Sequence, residues 1–505
     1  MILHRKKFIL NLFSFLIIIF VVAAWSTSLL VDWGSDYSSY YTGSYFLSNN
    51  YSLYQEFFSH KGPLYYLFLK IIGYVIGWGH WQAYLSLILT MLVFYIPVFY
   101  ILVSERLEPM TFFAGTLLSL CLLYGQPTNV SISFFQSGFL LTSFWLAVKN
   151  RKSFIRQSIS FSLFICAVLI RIDAVIFFPI YLATLMITNY PSPIIAYAKK
   201  LSIWVVIFTI FFWALSYNLN FTINDFLVHN IEFNKWYREF NLSTSSSLFY
   251  KFAQVIIRPV SYQLFTNTLI IIPLLILLPQ LMSSFGEVVS YLKKIIQKKI
   301  PKKSMSPNAF AMIIVFIGAT GWFLTFSDKN YHLIILLVPL LFFYLINFHF
   351  FSVGQSSFIV LTALYCLVIT LNLPLYKLSK NPECLYSSFC NSSQKNNYLD
   401  TINFLRDLPG EEITILGGHG WLYFHSNKKP AASISNWVLY YPDNPFLAPE
   451  LIKQHQNLLK MSPGFSFLIT NDWLDRVKKN IFLDEVLSKA ELVTRLNKYS
   501  VFQIR

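Results

Sequence analysis

Residues 8–30 read FILNLFSFLIIIFVVAAWSTSLL, an apolar run that follows the basic start Arg5-Lys6-Lys7. The run contains no clear cleavage site, so it predicts a retained membrane span rather than a removed signal peptide. The whole chain of 505 residues has the same character, with 55% apolar, 18% aromatic and only 12% charged residues. Soluble domains carry roughly 25% charged residues. The composition therefore excludes a soluble enzyme, a disordered chain and a disulfide scaffold. It favours a helical membrane protein, because the apolar runs are long enough to cross a bilayer.

Further apolar windows predict a polytopic α-helical membrane protein of about 11 spans. They are 82–103, 110–125, 134–148, 157–170, 174–188, 201–217, 262–283, 309–326, 332–348 and 356–376. The stretch 64–78 is also apolar, but the distribution of positive charge argues against its crossing. Without that crossing, the inner loops hold 16 Lys and Arg, and the outer loops, the long tail excluded, hold 8. The positive-inside rule therefore predicts a cytoplasmic amino terminus, an interfacial helix at 64–78 and a tail outside the cytoplasmic membrane.

Polar sequence concentrates on the predicted outer side in three pieces, which are residues 32–81, residues 218–261 and the tail from Lys377. The tail holds 12 of the 23 Asp and Glu, as a soluble domain would. We expect a transmembrane domain at 1–376 and a small extracytoplasmic α/β domain at 377–505. The predicted elements of the tail are helices Tyr398–Leu408 and Leu451–Met461, strands Ile413–Leu416 and Phe465–Thr470, and a hairpin of Val493–Asn497 and Val501–Arg505.

Two short motifs in the tail have mainly structural interpretations. Cys384 and Cys390 can form a local structural disulfide in an oxidising compartment. Gly417-Gly418-His419-Gly420 follows a predicted strand, but it lacks the spacing of a phosphate-binding loop and predicts a turn. In the inner loops, attraction to anionic lipid explains the Lys293–Lys303 cluster. Membrane lipids are therefore expected partners, and nucleic acid is not.

The first outer loop carries the best candidate chemistry. Asp32 and Asp36 lie just past the first span, and Asp36 opens a helix-like run with Tyr37 and Tyr41 on one face. One interpretation is structural: Ser35 or Asp36 caps the helix, and the tyrosines form an interfacial aromatic belt. The other interpretation is catalytic, and it depends on the second half of the loop.

His60-Lys61-Gly62-Pro63 lies immediately before the interfacial helix, on the same predicted side of the membrane as Asp36. An acid and a lysine on one face of one membrane suit glycosyl transfer from a lipid phosphate. The carboxylate deprotonates or orients the acceptor, or holds a metal. The cation neutralises the phosphate that leaves. The loop therefore predicts that Asp36 is catalytic and that Lys61 binds the donor phosphate.

Asp36-Tyr37 with its tyrosine-rich helix, followed by His60 to Tyr66, resembles the first outer loop of GT-C-type glycosyltransferases. These include the protein mannosyltransferase superfamily and the bacterial lipid A aminoarabinose transferase. The resemblance continues at Leu169–Ala174, at Lys329-Asn330-Tyr331-His332 followed by Pro339, and at Ile413–Ala431. It implies that the acid after the first span is the catalytic or metal-binding carboxylate. It also implies that the basic residue before Pro63 contacts a polyprenyl phosphate, and that the protein is bacterial.

The loop departs from the aminoarabinose transferase, because His60 replaces a glutamate and Lys61-Gly62-Pro63 replaces Lys-Pro-Pro. A divalent metal ion, with Mg, Mn and Zn undecided, would therefore need Asp32, Glu56 or His60 as a second ligand beside Asp36.

Arg171 and Asp173 are charges at the outer end of a short span, where ionisable residues are expensive and usually functional. We expect Arg171 to contact the donor phosphate and Asp173 to lie near the substrate, unless the two form a structural pair that joins two short helices. Tyr331 and His332 begin a span from outside and are further candidates for substrate contact.

These features predict a glycosyltransferase, hexosyl or pentosyl, in the cytoplasmic membrane. It would move a sugar from a polyprenyl-phosphate donor to a lipid or glycan acceptor of the cell envelope. The alternative is a transporter or flippase of a lipid-linked glycan. Transporters place charges at the midplane of repeated halves, whereas here the charges gather at the outer ends of spans and no repeat is visible. For residues 218–261 an active-site lid and a segment lying on headgroups remain equal alternatives.

Overall fold

The structure is a computed structural model. It describes residues 8–9, 12–19, 36–55, 57, 59–104, 110, 112–117, 131–149, 153–181, 194–236, 275–297, 306–325, 334–347, 352–365, 392–416, 421–430, 466–470, 488–496 and 499–504.

Helices make up most of the described chain before the tail. They are α1 (Asp36–Ser48), α2 (Pro63–Ile76), α3 (His80–Ser104), α4 (Ser131–Lys149), α5 (Phe154–Ile170), α6 (Ile194–Leu219), α7 (Ile223–Leu227), α8 (Leu278–Ile296), α9 (Pro307–Thr325), α10 (Ile334–Asn347) and α11 (Val353–Tyr365). A 3₁₀ turn, Ile172–Phe177, follows α5. A π-helical turn, Val228–Glu232, continues α7, and the helical path runs on to Trp236.

The chain divides into two compact units. Unit 1 comprises Met1–Trp25, Ile88–Phe212 and Thr244–Leu375, and Unit 2 comprises Ser26–Leu87, Trp213–Ser243 and Tyr376–Arg505. The three segments of Unit 2 correspond closely to the three polar pieces that the charge count assigns to the outer side. Unit 2 thus joins the first outer loop and part of 218–261 to the tail, whereas the predicted domain boundary separates the tail alone.

Helices α3, α4, α5, α6, α9 and α10 coincide with predicted spans. Within the described residues, two helices, Trp81–Ser104 and Ala198–Leu219, are long and apolar enough to cross a membrane by length and composition. The total of about 11 spans and the orientation of the chain therefore stay predictions. One predicted boundary is wrong, because the helix at the end of window 262–283 continues to Ile296. Glu287, a charged residue beyond the window, stabilises the continuation by accepting hydrogen bonds from Ser306 N (2.8 Å) and Ser306 Oγ (2.6 Å).

In Unit 1, α4 and α5 pack against each other through small polar residues. Ser143 Oγ donates to Ser160 O and Ser160 Oγ donates to Ser143 O, both at 2.7 Å. Such reciprocal bonds join apolar helices where the hydrophobic effect gives them little reason to associate. Gly138 brings α4 close to α3, since a Cβ at that position would overlap the carbonyl oxygen of Val93.

In Unit 2, α2 is too short to span a bilayer. Its 14 residues extend about 21 Å, against a hydrocarbon core of about 30 Å. Gly77 ends the helix with φ +87°, and its N–H donates to Gly73 O at 2.8 Å. A glycine adopts this left-handed conformation without the strain that a side chain would bring. The helix therefore ends two residues before the predicted end at residue 78.

The tail contains helices α12 (Ser392–Asp407) and α13 (Trp421–Ser426) and a five-stranded sheet. The strands are β1 (Glu412–Leu416), β2 (Lys429–Pro430), β3 (Ser466–Thr470), β4 (Ala490–Leu496) and β5 (Tyr499–Ile504), in the order β2-β1-β3-β5-β4. β1 is parallel to β2 and β3, and β5 is antiparallel to β3 and β4. The predicted helix 398–408, the two strands and the carboxy-terminal hairpin are confirmed. The predicted helix Leu451–Met461 and the glycine motif 417–420 lie outside the described residues.

Helix α13 and strand β2 are elements that the sequence analysis missed, and α13 attaches the tail to the first loop. Tyr423 of α13 is fully buried, accepts a hydrogen bond from Ile415 N at 2.8 Å, and packs edge-on against Phe46 of α1 with ring centroids 5.3 Å apart. Lys428, which precedes β2, donates to the carbonyls of Leu408 (2.6 Å) and Gly410 (2.5 Å) and thereby closes the turn after α12.

Candidate functional site

Helix α1 begins at Asp36, as the sequence predicts, and the backbone of Asp36 is described while its side chain is not. Tyr37 and Tyr41 lie on one face with stacked rings 6.1 Å apart, and both are buried. Tyr37 Oη donates to Ala83 O at 2.6 Å and also contacts Ser86 Oγ at the start of α3. The two tyrosines therefore pack inside Unit 2 and do not form an exposed interfacial belt.

Gly43 lets the end of the first loop pass close to α1. A Cβ there would lie 2.5 Å from Cζ of Phe57 and 2.9 Å from Cε1 of Tyr66, closer than carbon atoms can approach. Phe57 and Tyr66 flank the turn that carries Lys61, so the absence of a side chain at position 43 permits the packing that places the turn beside α1.

The His60-Lys61-Gly62-Pro63 turn leads directly into α2. Gly62 is extended (φ −67°, ψ 155°) and Pro63 takes the first helical position, where its fixed φ suits the helix and its missing N–H costs nothing. Lys61 N donates to Ser59 Oγ at 3.1 Å, and Ser59 Oγ is 2.9 Å from Tyr66 Oη. The half-buried Lys61 thus stands at the positive end of the α2 dipole, an arrangement that favours an anion.

Arg171 and Asp173 lie in Unit 1, where they form a buried ion pair. Arg171 Nη2 is 2.6 Å from Asp173 Oδ2, and the side chains are 6% and 16% exposed. Arg171 Nη1 also donates to Ser133 Oγ at 2.6 Å. Gln136 Nε2 donates to Asp173 Oδ1 (2.8 Å) and to the carbonyls of Arg171 (3.0 Å) and Ala167 (3.2 Å). Arg171 N also donates to Ala167 O at 3.1 Å and Ala174 N to Arg171 O at 3.3 Å, so Gln136 is a second donor to the carbonyls at the end of α5.

This geometry agrees with the structural alternative for the pair, since both terminal nitrogens of Arg171 are engaged by protein atoms. Arg171 alone separates α5 from the following 3₁₀ turn and is extended (φ −151°, ψ 129°). A role for Arg171 at the donor phosphate, or for Asp173 near the substrate, stays a prediction. Gln136 was missed from sequence. Its signal was an amide in an otherwise apolar span, a residue type that needs hydrogen-bond partners at membrane depth.

Several predicted site residues lie outside the described residues. They are Asp32, Glu56, Tyr331, His332, Cys384 and Cys390. In the part of the chain that the structure describes, no group of three or more His, Cys, Asp and Glu residues could hold a metal ion. Asp32, Glu56 and the carboxylate of Asp36 lie outside that described part, so the requirement for a metal stays a prediction. His60 is described, and its ring lies 5.6 Å from that of Phe233.

By its fold this protein belongs to the class of proteins with the GT-C fold. Its structure is similar to that of ArnT from Cupriavidus metallidurans bound to undecaprenyl phosphate, with a TM-score of 0.54, 12% identity and 97% of each chain covered. This likeness confirms, at the level of the fold, the resemblance stated from the sequence.

Two further solved structures are weaker matches. The Archaeoglobus fulgidus oligosaccharyltransferase tethered with an acceptor peptide has a TM-score of 0.41 and 12% identity, over 92% of this chain and 71% of its own. AglB from the same organism, with an inhibitory peptide and a dolichol-phosphate, has a TM-score of 0.40 and 13% identity, over 90% and 70%. No protein-family model and no curated protein matches the sequence.

Proposed function

We propose that this protein is a glycosyltransferase that moves a sugar from a polyprenyl-phosphate donor to a lipid or glycan acceptor on the outer face of the cytoplasmic membrane. The observation that carries the proposal is the turn at Lys61. It lies in the same compact unit as α1, which begins at Asp36, in a chain that has the GT-C fold along its length. The solved structure with the same fold holds undecaprenyl phosphate, a lipid of the proposed donor class.

The division into units supports the proposed orientation. Positive charge assigns residues 32–81, residues 218–261 and the tail to one side of the membrane, and Unit 2 contains the first and last of these pieces and residues 218–243 of the second. If 64–78 crossed the membrane, the first loop and the tail would lie on opposite sides of it. Their presence in one compact unit argues against that crossing. The short α2 supports the same conclusion, since it falls about 9 Å short of the hydrocarbon core.

In the proposed reaction the bond between sugar C1 and the phosphate oxygen breaks, and a bond from the acceptor atom to C1 forms. Asp36 takes the proton of the acceptor or orients it. The leaving polyprenyl phosphate gains a negative charge, which Lys61 and the amino end of α2 stabilise. Because this charge is larger in the transition state than in the bound donor, the cation accelerates the reaction as well as binding the substrate. A bound metal would add Lewis-acid stabilisation of the same charge.

The test compares cell-envelope lipids and glycans by mass spectrometry in a deletion strain of the native host. We expect the loss of one fixed sugar mass from an envelope molecule. The wild-type gene should restore it, and a gene carrying Asp36→Asn should not. Asp400→Asn is a matched control, because Asp400 is an exposed acid of Unit 2 that has no part in the proposed reaction. Accumulation of an intact lipid-linked glycan on the inner leaflet would instead support a flippase.

A further inference from the structure

The connector 49–62, which joins α1 to α2, is attached along its length to a segment far away in sequence. We call the helical path from Ile223 to Trp236 the 223–236 helix. Hydrogen bonds fix the first half of the connector to this helix and to the turn before it: Leu53 N to Leu219 O (2.9 Å), Asn220 Nδ2 to Ser52 Oγ (2.7 Å) and Gln55 Nε2 to Asp225 Oδ2 (2.9 Å). Both segments belong to Unit 2.

Asp225 itself is held in place by the start of the helix. Thr222 N and Thr222 Oγ1 donate to Asp225 Oδ2 at 2.8 and 2.7 Å, and Asp225 N donates back to Thr222 Oγ1. This capping box satisfies backbone donors that the first turn leaves open. The contact with Gln55 therefore joins the connector to a rigid helix end.

The second half of the connector is held by a directed chain of hydrogen bonds. Tyr54 Oη donates to Lys61 O at 2.8 Å, and Asn230 Nδ2 donates to Tyr54 Oη at 2.9 Å. Since a carbonyl can only accept, the single phenolic proton must point to Lys61, and Tyr54 must then accept from the amide of Asn230. Asn230 is buried and lies in the π-helical turn, a departure from α-helical geometry that often marks functional sites.

Tyr54 adopts a backbone conformation that a bulky side chain rarely takes. Its φ is +70°, in the left-handed region, which costs about 1–3 kcal/mol and persists only where the surroundings enforce it. The side chain is fully buried. Its ring stacks on His229 at 5.1 Å and meets Phe221 edge-on at 5.4 Å. The 223–236 helix and the residues before it thus supply the packing that holds the strained tyrosine under the turn.

One turn further along, the same helix reaches the residue before Lys61. Asn234 Nδ2 donates to His60 O at 3.2 Å and to Asn230 O at 2.9 Å, and Phe233, which is fully buried, packs against the ring of His60. The carbonyls of both His60 and Lys61 therefore accept hydrogen bonds from side chains fixed on other elements. These two carbonyls belong to the peptide planes on either side of the Lys61 Cα. Anchoring both planes limits the directions in which the Lys61 side chain can leave the backbone.

We propose that Tyr54, Asn230 and Asn234 are positioning residues that aim Lys61 at the donor phosphate. The inference rests on the proposed function, in which Lys61 binds that phosphate. In this proposal the described part of 218–261 is a fixed structural part of the donor site. A mobile lid, or a segment that lies only on headgroups, would not hold the Lys61 turn in this way. Such preorganisation favours binding, because a lysine that is already oriented loses less side-chain entropy when the phosphate binds.

The test measures the dissociation constant of undecaprenyl phosphate for the full-length protein in detergent, so that the sugar need not be known. Lys61→Ala should weaken binding by about 10- to 100-fold, the range for a hydrogen bond to a charged group. Tyr54→Phe removes only the hydroxyl and should weaken binding by about three- to tenfold, the range for a neutral hydrogen bond. Asn230→Ala should have an effect of the same size. Tyr74→Phe is the matched control, because its exposed hydroxyl has only a long contact to Ser48 O (3.4 Å).

A coupled variant separates positioning from general destabilisation. In a Lys61→Ala background Tyr54→Phe should change the dissociation constant by less than about twofold, because there is no cation left to aim. An equal loss in both backgrounds, or wild-type binding by Tyr54→Phe and Asn230→Ala, would overturn the inference while leaving the role of Lys61 intact. Wild-type binding by Lys61→Ala would instead overturn the donor-phosphate assignment in the proposed function.

Discussion

The Arg171–Asp173 pair offers the sharpest test of a structural role against a catalytic one. Asp173→Asn keeps an oxygen for the hydrogen bond from Gln136 and removes only the charge. It leaves the guanidinium of Arg171, which is 6% exposed, without its counter-charge. Removing one partner of a buried ion pair costs about 3–5 kcal/mol. We expect the apparent melting temperature to fall by about 3–5 °C, because the unfolding entropy of 505 residues is about 1 kcal/mol per degree.

The assay is thermal unfolding of the detergent-solubilised protein, followed by size-exclusion chromatography of the heated sample. Arg156→Met is the matched control, because Arg156 is exposed on the same helix and its loss should change stability by about 0.5 kcal/mol or less. The double variant Arg171→Met/Asp173→Leu replaces both charges with apolar side chains and should recover most of the lost stability.

Two outcomes would refute this reasoning. A melting temperature for Asp173→Asn equal to that of the wild type would show that the pair is not buried as described. A double variant that is as stable as the wild type but no longer binds undecaprenyl phosphate would show that Arg171 contacts the donor. The structural assignment requires the double variant to keep both stability and binding.

Four further predictions concern catalysis, metal, pH and topology. Asp36→Asn should express normally and lose about 100-fold or more in transfer rate, as expected for a general base, and wild-type transfer would leave only the helix-cap role. Transfer that survives exhaustive treatment with EDTA would exclude a divalent metal, whereas recovery on adding Mg, Mn or Zn would identify it. Burial lowers the pKa of His229 to about 4, against the opposing effects of Asp225 and a hydrogen bond to the Ser59 backbone. As pH falls, His229 therefore takes up a proton in the unfolded state before it does so in the folded state. Up to about 3 kcal/mol of stability present above pH 6.5 should be lost as pH falls toward 4. Melting scans at several pH values should show this loss in the wild type and not in His229→Gln. In a background without native cysteines, Gln82→Cys should label from outside intact spheroplasts and Ser290→Cys only after permeabilisation, and the reverse pattern would mean that 64–78 crosses.

The sequence predicts the helices well because each apolar run is a local signal. Runs of Leu, Ile and Phe locate α3, α4 and α9 within a few residues, and alternating patterns locate the hairpin of β4 and β5. Helix α8 runs past its predicted end, where Glu287 accepts hydrogen bonds from Ser306. Ser306 lies outside the apolar window, and hydropathy alone does not predict such a contact. Charge counting located the three polar pieces, and Unit 2 then brought them together.

The candidate site was predictable only in part. Lys61 and Asp36 could be proposed from the sequence because each belongs to a short motif, and their roles stay predictions. The support for Lys61 could not be found in this way, since Tyr54 and Asn230 are separated by 176 positions and neither belongs to a motif. Asn230 reads as an ordinary polar residue, and Tyr54 as one tyrosine among 31. What marks them is the direction of a hydrogen bond and a positive φ, and both appear only once the chain is folded.

The contact between Phe46 and Tyr423 has a consequence for how the protein is made. The two rings lie 5.3 Å apart but are separated by most of the length of the chain, and translation proceeds at roughly 5–20 residues per second. Helix α1 therefore waits many seconds for the residues that cover Phe46. During that interval its aromatic face is open to chaperones and proteases, so quality control can distinguish unfinished molecules from complete ones. Ribosomes that stop before α13 should leave products that are cleared rather than accumulated.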